Sequence, residues 1–152
     1  MLNRIIIAAR GGLVLLLVMV MLSGCGLLNQ TNGTGGAGTT QGAVLGPAVT
    51  AENIGDHNAP VNETHTFSTA QDRIYVVAQA QQIDPGTRMF ARWSRDGQPF
   101  EDSQEITANQ SYQNTYVEFH LEPVKGNFDP GQYNVQIFVN GNPDTQTTFS
   151  VQ

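Results

Sequence analysis

The chain has 152 residues, a length suited to one domain, with 39% hydrophobic and only 13% charged side chains; Asn, Gln, Thr, Ser and Gly supply the remaining polarity. Arg4 and Arg10 hold two of the seven basic charges near the start, so beyond residue 25 five basic side chains face thirteen acidic ones, a net −8. Such a surface repels phosphate backbones and anionic headgroups, which argues against nucleic acid and polybasic lipid contacts, and the single cysteine, Cys25, rules out an internal disulfide or a cysteine-based zinc site.

Residues 1–24 carry the three parts of an export signal. Arg4 and Arg10 give a positive start, "LVLLLVMVML" (Leu13–Leu22) is an apolar run of ten, and the small residues Ser23 and Gly24 lead up to Cys25. A helix needs about 20 apolar residues to cross the hydrocarbon, and Arg10, Gly11 and Gly12 interrupt any extension back to Ile5–Ala9. A plain membrane anchor is the alternative reading.

"LSGC" (Leu22–Cys25) resembles the lipobox of bacterial lipoproteins: a branched apolar residue, two small residues, then cysteine. The resemblance implies that the leader is cut before Cys25, that the Cys25 thiol carries a lipid, and that the new amino terminus is acylated as well. Two or three acyl chains attach a protein lastingly where one does so marginally, at about 0.8 kcal/mol per buried methylene. Gly26 stands where an Asp would imply retention at the inner membrane, so an outer-membrane destination is permitted.

From Leu27 to about Gly46 the chain is uncharged, rich in Gly, Thr and Asn, and without periodicity. This composition is that of a flexible tether; some twenty such residues span about 25 Å root-mean-square. Residues 47–60, with Pro47 and Pro60, read as an extended approach. The expected organisation is a signal peptide over 1–24, a lipidated terminus and linker over 25–60, and a domain over 61–152.

Within that domain, short apolar runs of period two alternate with turn residues. Strands are predicted at "HTFST" (65–69), "RIYVVAQA" (73–80), "TRMFARWS" (87–94), a weak polar "FEDSQEI" (100–106), "YQNTYVEFHLEP" (112–123), "GQYNVQIFVNG" (131–141) and "DTQTTFSVQ" (144–152). No amphipathic helix follows residue 50. "DPG" occurs at Asp84–Gly86 and Asp129–Gly131, and Pro then Gly predicts type II turns at both. About seven strands in about 90 residues is the signature of an antiparallel β-sandwich.

Trp93 on the third strand and Tyr133 after the second "DPG" are similar to the core tryptophan and the tyrosine corner of immunoglobulin-like and fibronectin-like domains. The resemblance covers roughly 60–152 and implies an all-β, immunoglobulin-like sandwich. Val135 stands where antibody domains carry their second cysteine, so packing alone must hold this one together.

Alternation then sorts the side chains. Met89, Ala91 and Trp93 share an inward face, as do Tyr133, Val135, Ile137 and Val139; Val117, Phe119 and Leu121; Ile74, Val76 and Ala78; and Phe149 with Val151. Trp93 is expected at the centre. Phe90, Arg92, Gln136 and Phe138 are left facing outward on what the resemblance makes neighbouring strands, and Tyr75, Val77 and Tyr116 outward on the other sheet. Aromatics beside an arginine are the composition favoured at interface centres. The alternative is that a loop, the 47–60 segment or a register shift covers them.

Catalytic constellations are missing. His57, His65 and His120 lie far apart without a second ligand at i+2 or i+4, so a zinc site is not expected. Glu101, Asp102 and Glu105 lie on the weak fourth segment, without an Asp-x-Asp-x-Asp loop for calcium, and suit a solvated edge strand. Neither a Gly-x-Ser-x-Gly nor a phosphate loop occurs, and Asn62–Thr64 matches a glycosylation triplet by accident in a bacterial context. The expectation is a non-enzymatic module without cofactor beyond the covalent lipid on Cys25. It is tethered to the outer face of a bacterial membrane and binds a protein partner through Phe90, Arg92 and Phe138, for instance as an accessory subunit of an envelope complex. A surface polysaccharide bound through Tyr75, Tyr116 and Phe90 is the rival.

Overall fold

A computed structural model describes residues 38–40 and 42–152; the expected export signal, Cys25 and the expected tether as far as residue 37 lie outside the described residues. Strands build two sheets. The first contains β1 (Gly38–Thr40), β2 (Ala43–Ile54), β3 (Pro60–Glu63), β5 (Ile74–Ile83) and β9 (Tyr112–Leu121), ordered β1-β2-β5-β9 with β3 also paired to β2. The second contains β4 (Thr66–Phe67), β6 (Arg88–Arg95), β7 (Gln98–Asp102), β8 (Ile106–Thr107), β10 (Gly131–Val139) and β11 (Asn142–Val151), ordered β4-β11-β10-β6-β7 with β8 also on β6. Every pairing is antiparallel except that of β4 with β11.

The inward residues of both sheets join in one core. Trp93, Ala91 and Met89 on β6, Tyr133, Val135, Ile137 and Val139 on β10, Val117, Phe119 and Leu121 on β9, and Ile74, Val76 and Ala78 on β5 are all buried, as alternation required. Trp93 has no exposed surface, and Phe149 meets it edge-on at 6.3 Å while stacking on Tyr133 at 5.0 Å. Burying an aromatic of this size is among the largest single contributions to such a core.

The clearest departure from expectation lies before residue 61. Residues 43–54, read from composition as the tether's end and an extended approach, form the longest strand, β2, and bury Ala43, Leu45 and Ala48 in the core. A register shift between Leu45 and Ala48, at Gly46 and Pro47, breaks the alternation into two short stretches of opposite phase. That bulge hides the period from a sequence scan. The domain therefore begins ahead of residue 61, and eleven strands stand among the described residues where about seven were expected. "HTFST" shrinks to the two-residue β4, whereas the weak "FEDSQEI" supplies the edge pieces β7 and β8.

The two "DPG" turns also diverge. At the first, Gly86 has φ +81° and the Thr87 N–H donates to the Asp84 carbonyl at 3.2 Å, the expected closed turn. At the second, Gly131 sits at φ +155° and opens β10 directly. The Tyr133 hydroxyl donates to the Asp129 carbonyl at 2.7 Å and Arg95 pairs with the Asp129 carboxylate, so side chains fix this corner instead of a backbone turn.

The sheets meet differently along their two sides. On one, β2 packs against β11, and the buried Ala48 N–H donates across to Thr145 Oγ1 at 3.0 Å. On the other, β9 ends the first sheet while β7 and β8 form the rim of the second.

Candidate functional site

The outer face of β6 and β10 follows from the inner one, since burying Trp93 turns its neighbours outward. The register places Phe138 opposite Phe90 and Gln136 opposite Arg92. The two phenyl rings, half-buried, stack at 4.7 Å and 6°. The Arg92 guanidinium lies over both, 5.2 Å from the Phe138 ring centre and 5.8 Å from that of Phe90.

Asp102, opposite Arg92 on β7, completes the group. Arg92 Nε and Nη2 each donate to the Asp102 carboxylate at 2.7 Å, a bidentate fork that fixes the plane of the guanidinium. Those two bonds hold the Asp102 carboxyl below the usual carboxylate range against the opposing effect of burial, and they raise the Arg92 pKa. The result is a flat aromatic and cationic surface whose flexible member is already immobilised.

Phe90, Arg92 and Phe138 are thus brought together. Tyr75, Val77 and Tyr116 are not brought together as a surface: Val77 has no exposed area, Tyr75 lies half-buried with its ring 5.7 Å from His120, and the 3-10 turn Asp56–Asn58 lies against β9. The expected second patch is therefore largely filled. Of the histidines, His57 sits in that 3-10 turn, His65 Nδ1 lies 3.1 Å from the Thr148 carbonyl, and His120 faces solvent 3.5 Å from Glu118. Among the described residues no three His, Cys, Asp or Glu side chains converge as a metal site, and no helix is long and apolar enough to cross a membrane.

Two clefts flank β9 that sequence reasoning did not find. The first, about 310 Å³, is lined by Phe100, Leu121, Pro123, Val124, Phe128 and Tyr133. The second, about 330 Å³, is lined by Ile83, Met89, Ile106, Ala108, Tyr112 and Tyr116. The signal for the first was local: Val124 and Phe128 stand in the turn-rich "EPVKGNFDP", where an apolar residue needs a reason, and Val124 remains 87% exposed.

No family model matches the chain, and no curated protein matches it. Among solved structures it is similar to the alkylpurine DNA glycosylase AlkC of Pseudomonas fluorescens bound to DNA containing an abasic site analogue, at 14% identity and TM-score 0.37. That match covers 58% of this chain and 27% of the glycosylase. It is also similar to the superoxide reductase (neelaredoxin) of Ignicoccus hospitalis, at 12% identity and TM-score 0.38 over 59% of this chain and 76% of that one. An uncharacterised protein from Bacillus anthracis follows at 13% identity and TM-score 0.33, over 58% and 76%.

Proposed function

We propose that this chain is a lipid-anchored, non-catalytic binding module of the bacterial cell envelope, with an immunoglobulin-like domain that meets a protein partner through Phe90, Arg92 and Phe138. The observation that carries the reading is the stacked phenyl pair capped by an arginine which a carboxylate already holds. An arginine locked in this way serves a pre-arranged contact better than it serves solvation.

Support for the immunoglobulin-like assignment comes from three features. Tyr133 bonds back to the Asp129 carbonyl in the manner of a tyrosine corner, Trp93 lies buried on the strand that pairs with β10, and β4 runs parallel to the last strand while β2 pairs with β5. Support for the anchor comes from "LSGC" behind its apolar run. With β1 beginning at Gly38, the thirteen residue steps from Cys25 span at most about 45 Å, so the partner belongs near the membrane surface. The polysaccharide reading has less to stand on, because Tyr75 and Tyr116 offer no flat exposed platform beside the buried Val77.

The test is Phe138→Asp in the full, lipidated chain, recovered from native membranes with its companions. The variant keeps the wild-type melting temperature within a few degrees, since Phe138 lies outside the core, while the co-purifying partner is lost. Undiminished recovery of the same partner sinks the assignment, and an intact Met1 terminus with an unmodified thiol in that preparation sinks the anchor.

A further inference from the structure

We propose that the free edge of β9 accepts an extended, basic strand from a partner protein, a second binding surface independent of the aromatic face on the other sheet. β9 is ten residues long, contains no proline and pairs only with β5; among the described residues its remaining backbone groups have no main-chain partner. Long edges of this kind are templates for another strand unless charge, proline or a covering segment blunts them. Of the nearby segments, the 3-10 turn Asp56–Asn58 packs against β9 and Asn58 lines the second cleft, but it makes no main-chain hydrogen bond to the edge. Residues 103–108 return to β6, with the Ser103 N–H donating to the Ala91 carbonyl at 2.8 Å and the Ala108 N–H to the Thr87 carbonyl at 2.9 Å.

The two clefts lie along the same edge, one beside Thr115–Val117 and one beside Leu121. The stretch Thr115–Leu121, six steps of about 3.3 Å, is roughly 20 Å long and passes both clefts, a distance one extended strand covers. Asn114 at φ +50° interrupts the regular strand just before this stretch, so pairing begins at Thr115. Alternate side chains of the incoming strand then face the gap between the sheets, where Phe100 and Val124 flank one cleft and Ile106 and Ala108 the other.

Charge selects the occupant. In the first cleft Asp129 is paired with Arg95 and Glu122 with Arg73, leaving Glu101 and Lys125, while Glu118 lines the second, so the preference for a basic strand rests chiefly on the field of the whole domain. Arg73, Arg88, Arg92 and Arg95 are each engaged by a carboxylate, and the domain carries −8. A strand alternating apolar and basic residues complements both the clefts and the field.

The experiment uses the full chain and a capped peptide that alternates valine and lysine, as long as Thr115–Leu121, followed by amide hydrogen exchange. Protection is expected at 115–121. Binding weakens at least about tenfold when alternate peptide amides are N-methylated, and likewise when lysine is replaced by glutamate. Phe138→Asp leaves it unchanged, which separates this edge from the aromatic face. Absence of protection at 115–121, or equal binding of the N-methylated or the glutamate peptide, overturns the proposal.

Discussion

Where β2 meets β11 the sheets are joined by Ala43, Leu45 and Ala48 and by a buried hydrogen bond to Thr145, while across the molecule β9 faces β7 and β8 over two clefts. The closed side is made of a strand with small side chains, a glycine and a proline; the open side is made of aromatics and branched residues. Hydrophobic content is therefore the wrong guide to which side is sealed. What seals the first is close approach, since small residues let the two sheets touch and let one hydroxyl reach the opposite backbone. What leaves the second open is the return of residues 103–108 to β6, which takes that segment away from the edge of β9.

The comparison breaks most visibly at Leu45. It has no exposed surface, so Leu45→Ala costs about 2–5 kcal/mol in urea unfolding, the range for a buried leucine. Val124→Ala on the open side, where the side chain is 87% exposed, stays within about 0.5 kcal/mol of wild type. A loss under about 1 kcal/mol at Leu45 means that β2 is a peripheral strand and that the closed side contributes little.

How much of this was legible follows from the same contrast. From Ile74 onward a period of two fixed the inward faces of β5, β6, β9 and β10 in advance, and with them the Phe90, Arg92 and Phe138 group, because an inward Trp93 leaves its neighbours no other side; the outer face of β5 was misread, since Val77 there is buried. β2 was illegible because the bulge at Gly46 and Pro47 reverses its phase, and because Ala, Thr and Asn signal neither strand nor core until a partner sheet buries them. Asp102 was placed on an edge strand, but its bond to Arg92 depends on the offset of β7 along β6, which includes a shift between Trp93 and Ser94 that residue types do not encode. The clefts were beyond reach for a similar reason: they arise from where a connection does not run.

Smaller in effect, and sharper, is Thr145→Val. Valine fills the same space but offers no oxygen, so the Ala48 N–H is left buried and unbonded on the closed side. The expected cost is about 1–3 kcal/mol, most of it restored by Thr145→Ser, which keeps the acceptor. Faster exchange of the Ala48 amide in the valine variant alone identifies the lost bond as the cause. Equal stability of the valine and serine variants instead assigns the seal to packing.

The smallest effect is expected on the rim of the open side, at Asp102→Asn, and it is a dependence on pH. In the folded chain the hydrogen bonds from Arg92 hold the Asp102 carboxyl below its ordinary value of 3.8. A depressed carboxyl favours the folded state fully above that ordinary value, and the contribution fades as acid protonates the folded form. Wild type and Asp102→Asn therefore differ slightly but constantly in melting temperature at neutral pH, exposed ion pairs being weak, and the two curves converge as pH falls below about 4. Salt at neutral pH narrows the same gap. A gap that persists unchanged into acid shows instead that the charge on the Asp102 carboxylate is not what the substitution removes from the balance of folding.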